Sequence, residues 1–164
     1  MIQSTSSFID YFSGVRKRTL NFIRVIPADK LNWSPKAGEF TCADIVRHLT
    51  ACERMFIGVV TRSKWKYGGH EGNQSTLDEL IAHLDQTHAE MMNELKSLPD
   101  SELNQPRPAI DSNMQIKAWR WLMVMNEHEI HHRSQLAMYL MLMGITPPHM
   151  AGLGVEDLIA RATG

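Results

Sequence analysis

Near its C-terminal third the chain reads Asn126-Glu127-His128-Glu129-Ile130-His131-His132-Arg133-Ser134-Gln135-Leu136, three imidazoles inside five residues. If this stretch is helical, His128 and His132 project from one face, one turn apart. At that spacing two ring nitrogens can converge on a single ion, about 2.0–2.1 Å from each if it is zinc. Two ligands do not make a site, and the third candidate is His48. Advancing about 100° per residue from His128, His132 lies at about 40°, and Trp121, Met125, Gln135, Tyr139 and Met143 fall within about 60°. The pair therefore sits in an apolar stripe. Glu127, Glu129 and Arg133 lie further round, flanking the stripe or pointing away.

The same count from His48 places Thr41, Ile45, Cys52, Met55 and Val59 within about 60°. Two separate helices thus put imidazole where Leu or Ile would be the stable choice. Burying an unpaired polar group costs roughly 1–3 kcal/mol. A lone inward histidine is most often a satisfied core residue, but three of them on two helices need partners, and a divalent ion would satisfy one nitrogen on each ring. His131 could pair with His128 at i, i+3, yet it lies on the other side of His128 from His132, so it is expected at the rim. His83 and His88 fall on different faces of their helix and are expected in solvent. His70, in a Gly-rich loop, and His149 have no partner in sequence, although the His70 loop could overhang an open end of the fold.

The elements that must position these groups are helices. Phe8, Phe12, Val15, Thr19, Phe22 and Ile26 recur at helical spacing from about Thr5 to Val25, with Arg16, Lys17 and Arg18 mostly outward, until Pro27 stops the run. Thr41 with Asp44 resembles a capping box opening a second helix to about Arg62. A third starts near Ser75 or Thr76, with Glu79 placed for a cap, and runs to about Leu98. The fourth spans about Met114 to Met143, with Gly144 as its C′ residue and Pro147-Pro148 beyond. A short amphipathic tail, Val155 to Ala162, is expected to pack over one end. No strand alternation bounded by hairpin turns stands out. The fold expected over residues 1–164 is a single all-α domain, a four-helix bundle with long crossover connections and a short C-terminal helix.

Composition narrows the function. The chain has 164 residues, 43% hydrophobic and 21% charged, with net charge −1, which leaves no electrostatic footprint for nucleic acid or an anionic membrane. Cys42 and Cys52, its two cysteines, stand too far apart along one helix to bond each other. Neither a signal peptide nor a membrane-spanning run is read, so the expectation is a cytoplasmic protein without membrane partners. The eleven methionines are adaptable core filler. Exposed methionine and tryptophan faces on a bundle often pair, which makes a homodimer one expectation.

Trp33-Ser34-Pro35, then Thr41 through His48-Leu49, then His128 through His132-Arg133-Ser134-Gln135-Leu136, resemble the DinB/YfiT-like superfamily over roughly residues 5 to 145. The resemblance implies a four-helix bundle with a three-histidine site for a divalent metal, nickel or zinc, and maps that triad to His48, His128 and His132. It also implies, for some relatives, thiol-dependent transferase or isomerase activity with low-molecular-weight thiols. Ser134 stands where Gly is common, on an outward position.

Three neutral imidazoles leave a divalent ion open positions, as in a catalytic rather than a closed structural site. The favoured expectation is a metal-dependent enzyme acting on a small-molecule substrate by transfer of or to a thiol, with hydrolysis second. Glu127 or Glu129 could serve as general base, though spacing selects neither. Cys52, one turn beyond His48, is a conceivable fourth ligand but more often a small buried hydrophobe; Tyr139 shares the inward stripe of the histidine pair. The competing reading is a non-catalytic ion that braces a bundle built for dimerisation or partner binding. A ferritin-like di-metal bundle is rejected, because Glu129-Ile130-His131-His132 lacks the second Glu-x-x-His copy and the additional inward glutamates that design needs.

Overall fold

The computed structural model describes residues 2–150 and 152–162. Helix starts are set by local chemistry. In α1 (Thr5–Arg24) the Ser4 hydroxyl accepts from Ser7 N–H at 3.1 Å. α2 (Cys42–Arg62) opens with a complete capping box: Asp44 N–H donates to Thr41 Oγ1 at 3.1 Å and Thr41 N–H to Asp44 Oδ2 at 3.0 Å. Thr76 and Glu79 repeat that arrangement at the head of α3 (Leu77–Lys96). α4 (Ala118–Leu142) ends before Gly144, whose φ of +77° suits glycine, and Ile145 N–H returns to Leu140 C=O at 2.9 Å.

Three expectations need correction here. α4 starts at Ala118, not near Met114, because Gln115–Lys117 forms β2, which pairs antiparallel with β1 (Pro106–Pro108). Strands of three residues, one flanked by two prolines, are too short to show alternation. Arg107 ties this hairpin to the end of α2: its Nε donates to Val60 C=O at 2.6 Å and its Nη2 meets Glu102 at 2.8 Å. Finally, α5 (Val155–Ala162) covers nothing deeply: none of its residues is buried.

α1 and α2 each pack against both α3 and α4, so the order around the bundle is α1, α3, α2, α4. Crossover connections make this order possible. Apolar side chains separate into two clusters along the bundle axis. One gathers Phe8, Phe12, Phe56, Val60, Met92, Leu95, Leu122 and Met125. The other gathers Ile23, Ile45, Leu49, Leu80, Leu84, Leu136 and Leu140. Between them, at the middle of all four helices, lie buried polar residues: Arg16 and Thr19, Thr50 and Glu53, Thr87, and Asn126, Glu129, His132 and Arg133. Helix-interior polar groups at this depth are costly unless paired, so this layer is where function and packing compete. Among the described residues no helix is long and apolar enough to cross a membrane.

Candidate metal centre

Because α2 and α4 are neighbours in the ring, His48 meets the His128/His132 pair across their interface. His48 Nε2 stands 3.0 Å from His128 Nε2, and His132 Nε2 stands 3.2 Å from the same atom. The rings meet at steep angles, with centroids 4.9, 4.7 and 4.5 Å apart. Two nitrogens each bound at about 2.0–2.1 Å to one ion are separated by about 2.8–3.4 Å for angles between right and tetrahedral. The observed spacings fall in that range, so the three histidines could hold one metal ion.

The protonation states favour the same use. Burial, then the nearby rings of His132 and His70, push the His48 imidazole down to about 4. Burial, then His132, His48 and His131, takes His128 down to about 3. His132 is lowered as well, by burial above all, although its bond to Gln135 opposes this. At neutral pH the trio is therefore uncharged.

A chain of hydrogen bonds orients His132. The Tyr139 hydroxyl donates to Phe40 C=O at 3.0 Å, so its oxygen accepts from Gln135 Nε2 at 3.2 Å. That leaves Gln135 Oε1 as acceptor for His132 Nδ1–H at 2.9 Å. A neutral imidazole protonated at Nδ1 carries a bare lone pair on Nε2, and here it faces His128. Across the site the Tyr67 hydroxyl lies 2.6 Å from His48 Nδ1. When it accepts from that nitrogen, the lone pair of His48 Nε2 faces inward too. Both lone pairs then point at His128 Nε2, which can donate one proton at most, so a shared cation would satisfy what that ring alone cannot.

The other expected residues divide. Tyr139 acts two bonds away, through Gln135. Cys52 Sγ lies 3.6 Å from His48 Nε2, and burial raises its thiol to about 12, so it stays protonated beside the site. His131 is exposed, its ring edge-on to His132 at 4.9 Å. Glu127 is exposed, and Glu129 is not available as a base. Both Glu129 oxygens are held by buried Arg16, at 2.9 and 3.0 Å.

Sequence periodicity missed what surrounds Glu129. Arg16, expected outward, is 2% exposed and also pairs with Glu53 at 2.8 Å. Burial opposes its charge, but Glu129 and Glu53 outweigh that and raise its pKa. Glu53 Oε1 meets His88 Nδ1 at 2.8 Å, and His88 Nε2 meets Ser13 Oγ at 3.1 Å. His88 is therefore half-buried and bonded, not free in solvent. All four helices contribute to this cluster: Ser13 and Arg16 from α1, Glu53 from α2, His88 from α3 and Glu129 from α4. Arg133, read as flanking the stripe or pointing away, is 4% exposed, with Nη2 against Met150 Sδ at 3.2 Å.

The segment after α2 closes the open side of the trio, as its glycines allowed. Tyr67 stacks on His70 with centroids 5.0 Å apart, and the Phe40 ring lies 5.2 Å from that of His48. No motif marks Tyr67 or Phe40 in sequence. A tyrosine in a loop could be found only by knowing which helix face the loop crosses.

Three solved structures share this architecture. A DinB-like protein from Bacillus cereus is 16% identical, with a TM-score of 0.78 over 91% of this chain and 99% of its own. A DinB-like protein from Bacillus subtilis is 21% identical, with a TM-score of 0.72 over 88% of this chain and 96% of its own. YfiT from Bacillus subtilis, described as a probable metal-dependent hydrolase with an unusual four-helix bundle topology, is 17% identical, with a TM-score of 0.70 over 89% and 91%. At such identities these likenesses establish the fold. No curated protein sequence matches the chain. The sequence itself matches the DinB family across residues 1–162, and with the helical bundle and its converging histidines now described, the chain belongs to that family.

Proposed function

We propose that this protein is a metal-dependent enzyme that holds one divalent ion, nickel or zinc, on Nε2 of His48, His128 and His132. The observation that carries this reading is the convergence of three uncharged imidazole nitrogens within bonding range of one point. A bound divalent ion would supply the positive charge that lets a small nucleophile lose its proton near neutral pH. Gln135, held by Tyr139, keeps the His132 lone pair directed inward. Tyr67 and Phe40 wall the open side, where a small substrate would enter.

The favoured chemistry is transfer of or to a low-molecular-weight thiol. No carboxylate among the described residues bonds to the trio, since Glu127 is exposed and Glu129 is tied to Arg16. A nucleophile that must lose its proton without a carboxylate base is more easily a thiol, with an ordinary pKa near about 8.5, than water at about 15.7. Hydrolysis is the second reading, favoured by the description of YfiT.

His48→Ala and His132→Ala should each lose stoichiometric metal by elemental analysis of purified protein; full occupancy in both would refute the assignment. Metal-free protein given Ni²⁺ or Zn²⁺ should then conjugate a thiol to an electrophile. Turnover of esters or amides without thiol would instead select hydrolysis. Inactivity in both screens would leave the bracing role.

A further inference from the structure

On the far side of the segment that carries Tyr67 lies a cavity of about 510 Å³, bounded by Arg54 and Arg62 from α2 and by Lys64 and Lys66 from the segment itself. No acidic side chain lines it. Arg62 pairs with Glu94 at its edge. Arg54 donates to the neutral hydroxyl of Thr87 at 2.8 Å. Arg54, Lys64 and Lys66 have no ion pair among the described residues. In a chain of net charge −1 this is a local concentration of positive charge. It is felt nearby: burial first, and then the charge of Arg54, lowers the pKa of His83.

Two glycines shape the wall. Gly58 sits inside α2, where glycine is a poor helix former. A methyl there would stand 2.8 Å from Arg62 Nη2 and 3.4 Å from Lys64 C=O, so its absence lets the guanidinium and the following segment lie close on the helix. Gly69, at φ +87°, turns the chain back until its own methyl position is 4.0 Å from Arg54 Nη1. The backbone is thus arranged to bring cations together, against their mutual repulsion.

We propose that this cleft binds a small molecule carrying two or more anionic groups, phosphates or carboxylates. Arg54 and Arg62 leave α2 eight residues apart, about 12 Å along the helix, and Lys64 and Lys66 add two more cations, enough charge for more than one anionic group. The volume is that of a small-molecule site, and Met91 supplies an apolar surface between the charges. Guanidinium groups suit either oxyanion through paired N–H donors. The site is distinct from the histidine trio and does not depend on its holding metal.

Calorimetric titration at low ionic strength, with inorganic pyrophosphate in one arm and citrate in the other, tests this. Saturable binding of one or both is expected, and the tighter arm identifies phosphate or carboxylate as the preferred group. Lys64→Gln/Lys66→Gln should weaken it about tenfold or more, the scale of losing charge-assisted contacts. Gly58→Ala should also weaken it by displacing Arg62, without lowering thermal stability. Lys17→Gln/Lys36→Gln, an equal change of net charge elsewhere, should leave affinity unchanged, as should His132→Ala. No saturable binding of either anion would overturn the proposal. So would equal weakening in the control pair, which would mean general charge attraction, or loss in His132→Ala, which would put the anion at the histidines.

Discussion

Two clusters share the polar middle layer and one turn of α4, and they solve the cost of burial in opposite ways. Glu129 turns toward α1 and completes its own charge balance with Arg16, while Glu53 and His88 extend the chain to the other helices. His128 and His132, on the same turn, face α2, and their Nε2 atoms meet only imidazole nitrogens. The first cluster contains both signs of charge, which answer one another across the helices. The second contains three uncharged imidazoles and no cation. Clusters of opposite charge hold a fold in register, whereas a cluster of neutral imidazoles alone is arranged for a ligand.

Arg16→Leu should break the first cluster most severely, because Glu53 and Glu129 would be left buried without their cation. The expected loss is about 3–5 kcal/mol, or a Tm lower by about 10 °C in a chain of this length. Thermal denaturation of metal-free protein checks this, and a loss under about 1 kcal/mol would erase the contrast, since surface substitutions do no more. Gln135→Leu should leave the fold intact but release His132 from its tautomer. Metal affinity should fall by about 10–100-fold, read by competition with a chelating dye. Unchanged affinity would show that the Tyr139–Gln135 chain does not orient the ligand.

Acid should act on the second cluster through the unfolded state. His48 and His128 are held down to about 4 and about 3, against an ordinary value of 6.5. Between pH 6.5 and those values the unfolded chain binds protons that the native protein refuses, so stability rises with pH there and is lost as pH falls. In metal-free His128→Leu that loss should be shallower than in the parent from pH 7 to 4, with the carboxylate contribution common to both. Parallel Tm curves would contradict it. At pH 7 the same variant should lie within about 1 kcal/mol of the parent, the smallest effect of the series, because it removes a neutral imidazole and not a paired charge.

The helices and the face each histidine of the trio takes were legible in sequence because both follow from local rules. Caps at Thr41 and Thr76 and the glycine at 144 mark helix ends whose hydrogen bonds are made within a few residues. The four-residue spacing of His128 and His132, and the apolar stripe around His48, are consequences of helical pitch. The same reasoning failed at Arg16 and His88, because a single inward stripe was assumed for helices that each touch two neighbours. A residue some 140° from the main stripe, as Glu53 is from His48, then faces a second partner instead of solvent. The β1–β2 hairpin was invisible for another reason: its strands are held by Arg107 reaching the end of α2, and not by any pattern of their own.

Residue order alone settled where the helices run and which side chains share a face, since those depend on neighbours three and four positions away. It also paired His128 with His132. Only the tertiary structure decided that α2 stands next to α4, that Tyr67 closes over His48, and that four cations gather on one wall. Those depend on how crossovers order the helices around a common core, and contacts between distant segments leave no periodic trace in the chain.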